Sequence, residues 1–219
     1  MELVLIFGTM KQKALLIITA LLLLAGGGCS PTVEKVILTV KGPIPIEEMG
    51  TTLTHEHVLV DFIGADSTGY HRWDRQEAAD RIIPFLEKVR DIGVHTLIEC
   101  TPAYVGRDPL LLKILSEQTG MNILTNTGYY GAKNNHFIPE HFHSMTAEEV
   151  SELWISEFWS GIEDTGIRPG FIKIAVDPND TLSPEQEKLV IAAAFTHHAT
   201  GLAIASHTGP DRPAFAQLE

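Results

Sequence analysis

From residue 50 onward the chain alternates short apolar runs with stretches of helical periodicity, a rhythm that predicts βα units and a parallel sheet. The first strand is expected over Thr51 to Val58. A helix follows from about Arg75 to Arg90, with Asp74 and Glu77 placed as a capping-box pair and an apolar stripe of Ala78, Ile82, Leu86 and Val89. Pro84 inside that helix predicts a kink, and Gly93 ends it. Strand two is expected over Val94 to Cys100. The next helix opens at Asp108 with Pro109 in its first turn and stops at Gly120.

Strand three, Asn122 to Thr127, leads into an irregular loop from Gly128 to Met145, long enough to suggest function or disorder. Thr146 and Glu149 cap a third helix that reaches Gly161, and Trp154, Phe158 and Ile162 mark the face it packs inward. Strand four is Phe171 to Val176. A helix opened by Ser183-Pro184 closes at Gly201, and strand five is Leu202 to His207. Pro213 to Glu219 reads as a helix just begun. Strand starts spaced about 37 residues apart suit an α/β (β/α)8 TIM barrel of which the first five βα units are present.

The N-terminus has a different pattern. Lys11 and Lys13 precede an apolar run, Ala14 to Ala25, which is too short to span a membrane and reads as an export signal over residues 1–28, with Met10 as a second candidate start. Gly26-Gly27-Gly28-Cys29 resembles a bacterial lipoprotein processing site at which Cys29 would be lipidated. Ordinary cleavage near the glycines is the other reading. The expected protein is therefore exported, periplasmic or in the cell envelope, touching membrane only through a lipid anchor. Residues 29–50 form a lead-in, and 51–219 the incomplete barrel.

Composition narrows the classes. With 16 Lys+Arg against 28 Asp+Glu the formal net charge is −12, which disfavours phosphate backbones and hence nucleic acid. Two cysteines exclude a disulfide scaffold and a four-cysteine zinc module. The sequence has no glycine-rich phosphate loop, nucleophile elbow or dinucleotide fingerprint.

Three strand ends carry candidate chemistry. His55 and His57, two apart on a strand, share a face and could chelate one divalent cation, most commonly zinc, or could be a structural pair. Lys173 interrupts an apolar strand, so it must be paired, neutralised or at the strand's open end. A neutral amine there could form a Schiff base, or take up carbon dioxide as a metal-bridging carbamate, or the side chain could snorkel to the rim. His207 ends strand five, and three metal-compatible groups at one height of a barrel favour a site. Tyr129, Tyr130 and His136 lie in the loop after strand three and either line the pocket or pack the loop. His141-x-His143 and the adjacent His197 and His198 read as loop and helix-surface histidines.

Gly50-Thr51-Thr52-Leu53-Thr54-His55-Glu56-His57, the run Gly161 to Lys173 containing Glu163-Asp164-Thr165-Gly166-Ile167-Arg168, and Ser206-His207-Thr208-Gly209 resemble, in order, motifs of the phosphotriesterase family in the amidohydrolase superfamily. The resemblance runs from about Val36 to the end. It implies that His55 and His57 hold one metal, that His207 helps hold a second, and that carboxylated Lys173 bridges them. Two divalent ions, with zinc the commonest fit, and carbon dioxide are the implied cofactors. A bridging hydroxide would then attack a small-molecule ester, lactone or phosphotriester. The family pattern adds a histidine on strand six and an aspartate on strand eight, neither reached here. A truncated or degenerate module that binds metal or a partner without catalysis is thus the rival expectation, and a homodimer is an assembly open to either.

Overall fold

The computed structural model describes residues 35–218, and the expected export signal, its cleavage site and Cys29 lie outside them. The lead-in is a hairpin: β1 (Val36–Thr39) pairs antiparallel with β2 (Gly42–Pro45), Thr39 facing Gly42. Pro43 and Pro45 hide these strands from a propensity reading, since proline is confined to strand edges and ends. The Val40 amide donates to the Ile123 carbonyl at 2.9 Å, tying the hairpin to the main sheet.

Parallel strands follow as β3 (Thr52–Glu56), β4 (Thr96–Glu99), β5 (Asn122–Leu124), β6 (Asn126–Thr127), β7 (Phe171–Ala175) and β8 (Ile204–His207). Strands β3-β4-β5 form one sheet and β6-β7-β8 another. The single strand expected over Asn122 to Thr127 is split at Thr125, its first half pairing with β4 and its second with β7. Among the described residues the strands therefore make two parallel sheets, an α/β arrangement, and not a closed barrel. Every residue of β7 is buried, as a strand covered on both faces should be.

The connecting helices are α1 (Arg75–Asp91), α2 (Pro109–Thr119), α3 (Glu140–Ser144), α4 (Ala147–Ser160), α5 (Pro184–Thr200) and α6 (Asp211–Ala216). Their starts obey the caps in the sequence. Asp74 accepts from the Glu77 amide, Asp108 from Leu111, Ser183 from Gln186, and Thr146 with Glu149 closes a full capping box. Gly120 and Gly201 end α2 and α5 in the left-handed conformation that glycine adopts without strain. Helix α1 continues through Pro84.

Helix α3 falls inside the loop expected to be irregular. Phe142 is fully buried in the core beneath α4 and α5, and the Lys188 ammonium donates to the Phe142 and Met145 carbonyls at 2.7 and 2.9 Å. A tertiary anchor and a cation at its C-terminal carbonyls thus hold a turn too short to be stable alone. A second core, with Ala79, Leu97, Leu111, Leu115 and Ile123, lies beneath α1 and α2. Among the described residues no helix is long and apolar enough to cross a membrane.

Candidate active site

The C-terminal ends of the parallel strands open onto one cavity of about 410 Å³. His55, His57, Lys173, His207 and Tyr130 line it together with an apolar wall of Val60, Phe62, Pro102 and Val105. Strand alternation brings His55 and His57 to the same side, with ring centroids 5.2 Å apart and their Nε2 atoms 3.3 Å apart. The Nδ1 of His57 is 2.9 Å from the Thr101 hydroxyl.

Lys173 sits mid-strand in β7, opposite Ala205, and is only 2% exposed. Burial holds its amine below the usual lysine range, because the low-dielectric interior disfavours the ammonium. Gly128 makes this close packing achievable. Its φ is +114°, and a Cβ there would lie 2.1 Å from the Lys173 carbonyl oxygen. His207 ends β8 opposite Ala175, its ring 5.5 Å from that of Tyr130. Burial, followed by the Lys173 charge, also lowers the pKa values of His55 and His207. For His57 burial comes first, then the neighbouring His55 and Lys173. Burial thus disfavours the charged forms of all four groups.

The donor set does not form the expected metal centre. Among the described residues no three His, Cys, Asp or Glu side chains are grouped so that they could hold a metal ion. Protein zinc sites require three or four such ligands. No carboxylate joins His55 and His57: Glu56 points to a separate cavity beside α1, and Glu99 is turned inward onto Thr101. The expectations of two divalent ions, of zinc held by His55, His57, Lys173 and His207, and of metal-dependent attack on an ester, lactone or phosphotriester are corrected accordingly. The same finding removes the metal-binding form of the degenerate-module reading. A carbamate made on Lys173 with carbon dioxide loses its rationale as well, since without a metal pair it would be a buried, unpaired anion.

The loop residues separate. Tyr130 lines the pocket, held by bridges to Ala175 and Phe137. Tyr129 points the other way, 6% exposed, edge-on to Trp154 with its hydroxyl 3.1 Å from His141 Nε2. His136 packs on Phe137 and over Gly64, away from the cavity lining. His143 stacks on Phe142, while His197 bonds the Leu202 carbonyl.

Two residues beneath the site escaped the sequence reading. Glu99 and Thr101, both 1% exposed, link β4 to His57. The signal was available, because Glu99 is an ionisable group at the end of an apolar run, the same anomaly that exposed Lys173.

The phosphotriesterase family profile matches residues 35–219. The chain is 31% identical over 169 residues to the phosphotriesterase homology protein of Escherichia coli, covering 77% of this chain and 56% of that one. It is 27% identical over 174 residues to the aryldialkylphosphatase of Saccharolobus solfataricus, covering 80% and 54%. Among solved structures, a double mutant of the organophosphorus hydrolase from Deinococcus radiodurans superposes with a TM-score of 0.74 at 30% identity, covering 88% of this chain and 60% of that one. The chain belongs to the phosphotriesterase family. It spans about half the length of the curated relatives it matches.

Proposed function

We propose that this chain carries the reactive pocket of a small-molecule hydrolase, acting at an electrophilic carbonyl or phosphoryl centre. The observation that carries the reading is the convergence of His55, His57, His207, Lys173 and Tyr130 on one cavity at the strand ends of a hydrolase-family fold. Relatives named aryldialkylphosphatase and N-acetyltaurine hydrolase support both kinds of centre, and esters, lactones and phosphotriesters are the substrates proposed here.

In this reading the Val60, Phe62, Pro102 and Val105 wall receives the apolar body of the substrate and excludes water from it. A neutral imidazole, best placed at His57, takes the proton of the attacking water. The Tyr130 hydroxyl donates to the oxygen on which charge develops. Lys173, whose pKa burial lowers, offers its amine as a donor to the same oxygen. The proposal extends to architecture and location: the strands are the first five βα units of a TIM barrel, and the N-terminal segment directs export with Cys29 as the lipid-bearing residue.

The test is hydrolysis of an aryl ester, an aromatic lactone and an aryl phosphotriester by the purified protein. Turnover of at least one is expected, falling about 100-fold in Lys173→Met and in His57→Gln, a loss typical of removing one acid–base group. No turnover on any of the three, or rates unchanged in both variants, overturns it.

A further inference from the structure

Three residues in a row, Lys133, Asn134 and Asn135, hold φ angles of +58°, +54° and +60°. This left-handed conformation is costly for residues with a Cβ, least so for asparagine. They form the tip of a turn, residues 131–136, closed by the bridge between Tyr130 and Phe137. The turn's own carbonyls satisfy only part of its backbone: the Asn135 amide donates to Gly131 and the His136 amide to Lys133, both at 3.3 Å. The Lys133 and Asn134 amides go instead to the buried Asp177 carboxylate just beyond β7, Lys133 to Oδ1 at 2.6 Å and Asn134 to Oδ2 at 3.1 Å. Gln186, buried in the first turn of α5, donates its Nε2 to Asp177 Oδ2 at 2.9 Å and to the Gly131 carbonyl at 3.0 Å. Hydrogen bonds to a carboxylate are about twice as strong as neutral ones, so Asp177 is the group that offsets the strain of this turn.

The turn in turn braces the mouth of the pocket. The Phe137 ring lies 5.6 Å from that of Tyr130 and 5.9 Å from that of Phe62, and the Lys133 ammonium sits 5.5 Å above the Phe62 ring. Tyr130 has a second anchor in its bridge to Ala175, but Phe62 is 60% exposed and leans on Phe137 and Lys133. We infer that Asp177 is a positioning residue: it latches the 131–136 turn in its left-handed form and thereby sets the Phe62 side of the pocket for an aromatic substrate body. Asp177 does not line the cavity, so its effect falls on binding of the apolar part of the substrate and not on the chemical step. That consequence rests on the hydrolase reading above, whereas the latch stands apart from it.

The turn carries its own probe, because trypsin cuts after lysine and Lys133 is exposed at the tip. The rate of cutting there reports opening of the turn. The wild-type chain is expected to resist, and Asp177→Ala to be cut after Lys133 at least about tenfold faster, as loss of charge-assisted hydrogen bonds implies. Asp177→Asn keeps the shape and one acceptor oxygen, which guards against misfolding, and should fall between the two. Cutting after Arg81 on α1 is the reference for global opening and should stay at the wild-type rate. In hydrolysis both variants should raise KM for an aryl ester about fivefold with kcat little changed, and leave KM for a short alkyl ester unmoved. A wild-type chain cut after Lys133 as fast as both variants, or cutting at Lys133 and Arg81 that rises in step, overturns the inference. So does an active protein whose aryl-ester KM is unmoved once the turn has opened. Faster cutting at Lys133 in a protein that hydrolyses nothing overturns the proposed function alone.

Discussion

Glu99 and Lys173 are two deeply buried ionisable side chains, and each gives a stability prediction with a defined sign. Burial pushes the Glu99 carboxyl up to about 7 despite the donors from Thr101 and Val58. A carboxyl with a raised folded-state pKa binds its proton more tightly when folded, so folding is favoured below the unfolded value and loses stability as pH rises toward 7. The loss is about 3 kcal/mol when referred to an unperturbed glutamate. Glu99→Gln should therefore flatten the stability profile between about pH 5 and 8, a change read by urea denaturation at both ends of that range. The histidines act oppositely: their lowered values mean that stability falls as pH drops below the unfolded histidine pKa. Lys173→Met replaces a buried amine by an apolar chain of similar length, and should raise the melting temperature while lowering hydrolysis about 100-fold. A lower melting temperature in that variant would show the amine to be satisfied in place. Lys173, His55, His57 and His207 were legible in the sequence because polar residues stand out at the ends of apolar strands. Glu99 was not read, although it too is an ionisable group at the end of an apolar run, because at the last position of a strand it looked like a natural terminus.

Helix starts were the most legible elements, because each cap is a local contract between a side chain and an amide three residues on. Helix α3 and the β1–β2 hairpin were not, since the one depends on Phe142 and Lys188 reaching partners far along the chain and the other is built on prolines. The connections between elements carry their own constraint. At Gly128 both a positive φ and the nearby Lys173 carbonyl oppose any side chain, so Gly128→Ala should shift β7 or prevent folding. Soluble expression with an unchanged melting temperature would contradict that. Between β4 and α4, the Arg107 guanidinium is almost wholly buried and paired twofold with Glu157, at 2.7 and 3.0 Å, with Glu163 a further 3.5 Å contact. Burial acts most strongly and depresses Arg107, but the charge and hydrogen bonds of Glu157 together with the charge of Glu163 outweigh it and its pKa rises. The pair should be asymmetric under mutation. Glu157→Ala strands a buried cation and should cost about 3 kcal/mol, whereas Arg107→Met leaves a carboxylate that is 20% exposed and should cost less. Denaturant titration of both variants distinguishes the two, and equal costs would mean that the cavity beside Arg107 admits enough water to solvate it.

At the scale of the whole molecule, burial is uneven across the sheets. Strand β7 is covered throughout, but β3 and β8 each pair on one side only among the described residues, and both leave backbone and side chains exposed. Periodicity could not foresee this or the break at Thr125, because it marks a segment as a strand without naming its neighbours. The exposed edges are accompanied by apolar side chains: Ile204 and Phe215 near β8, Phe85 and Ile92 on or beside α1. Unpaired strand edges flanked by apolar surface are templates for pairing with another chain. The 219-residue chain should therefore bind a hydrophobic dye in its folded state, and its mean mass in solution should rise with concentration toward about 100 μM. Charge on those surfaces should oppose the effect. Phe85→Glu and Phe215→Glu lie away from the pocket lining and should reduce both dye binding and association without altering hydrolysis. Light scattering that reports a single monomeric mass for the wild-type chain across that range, with no dye binding, would overturn the expectation that these edges recruit another chain.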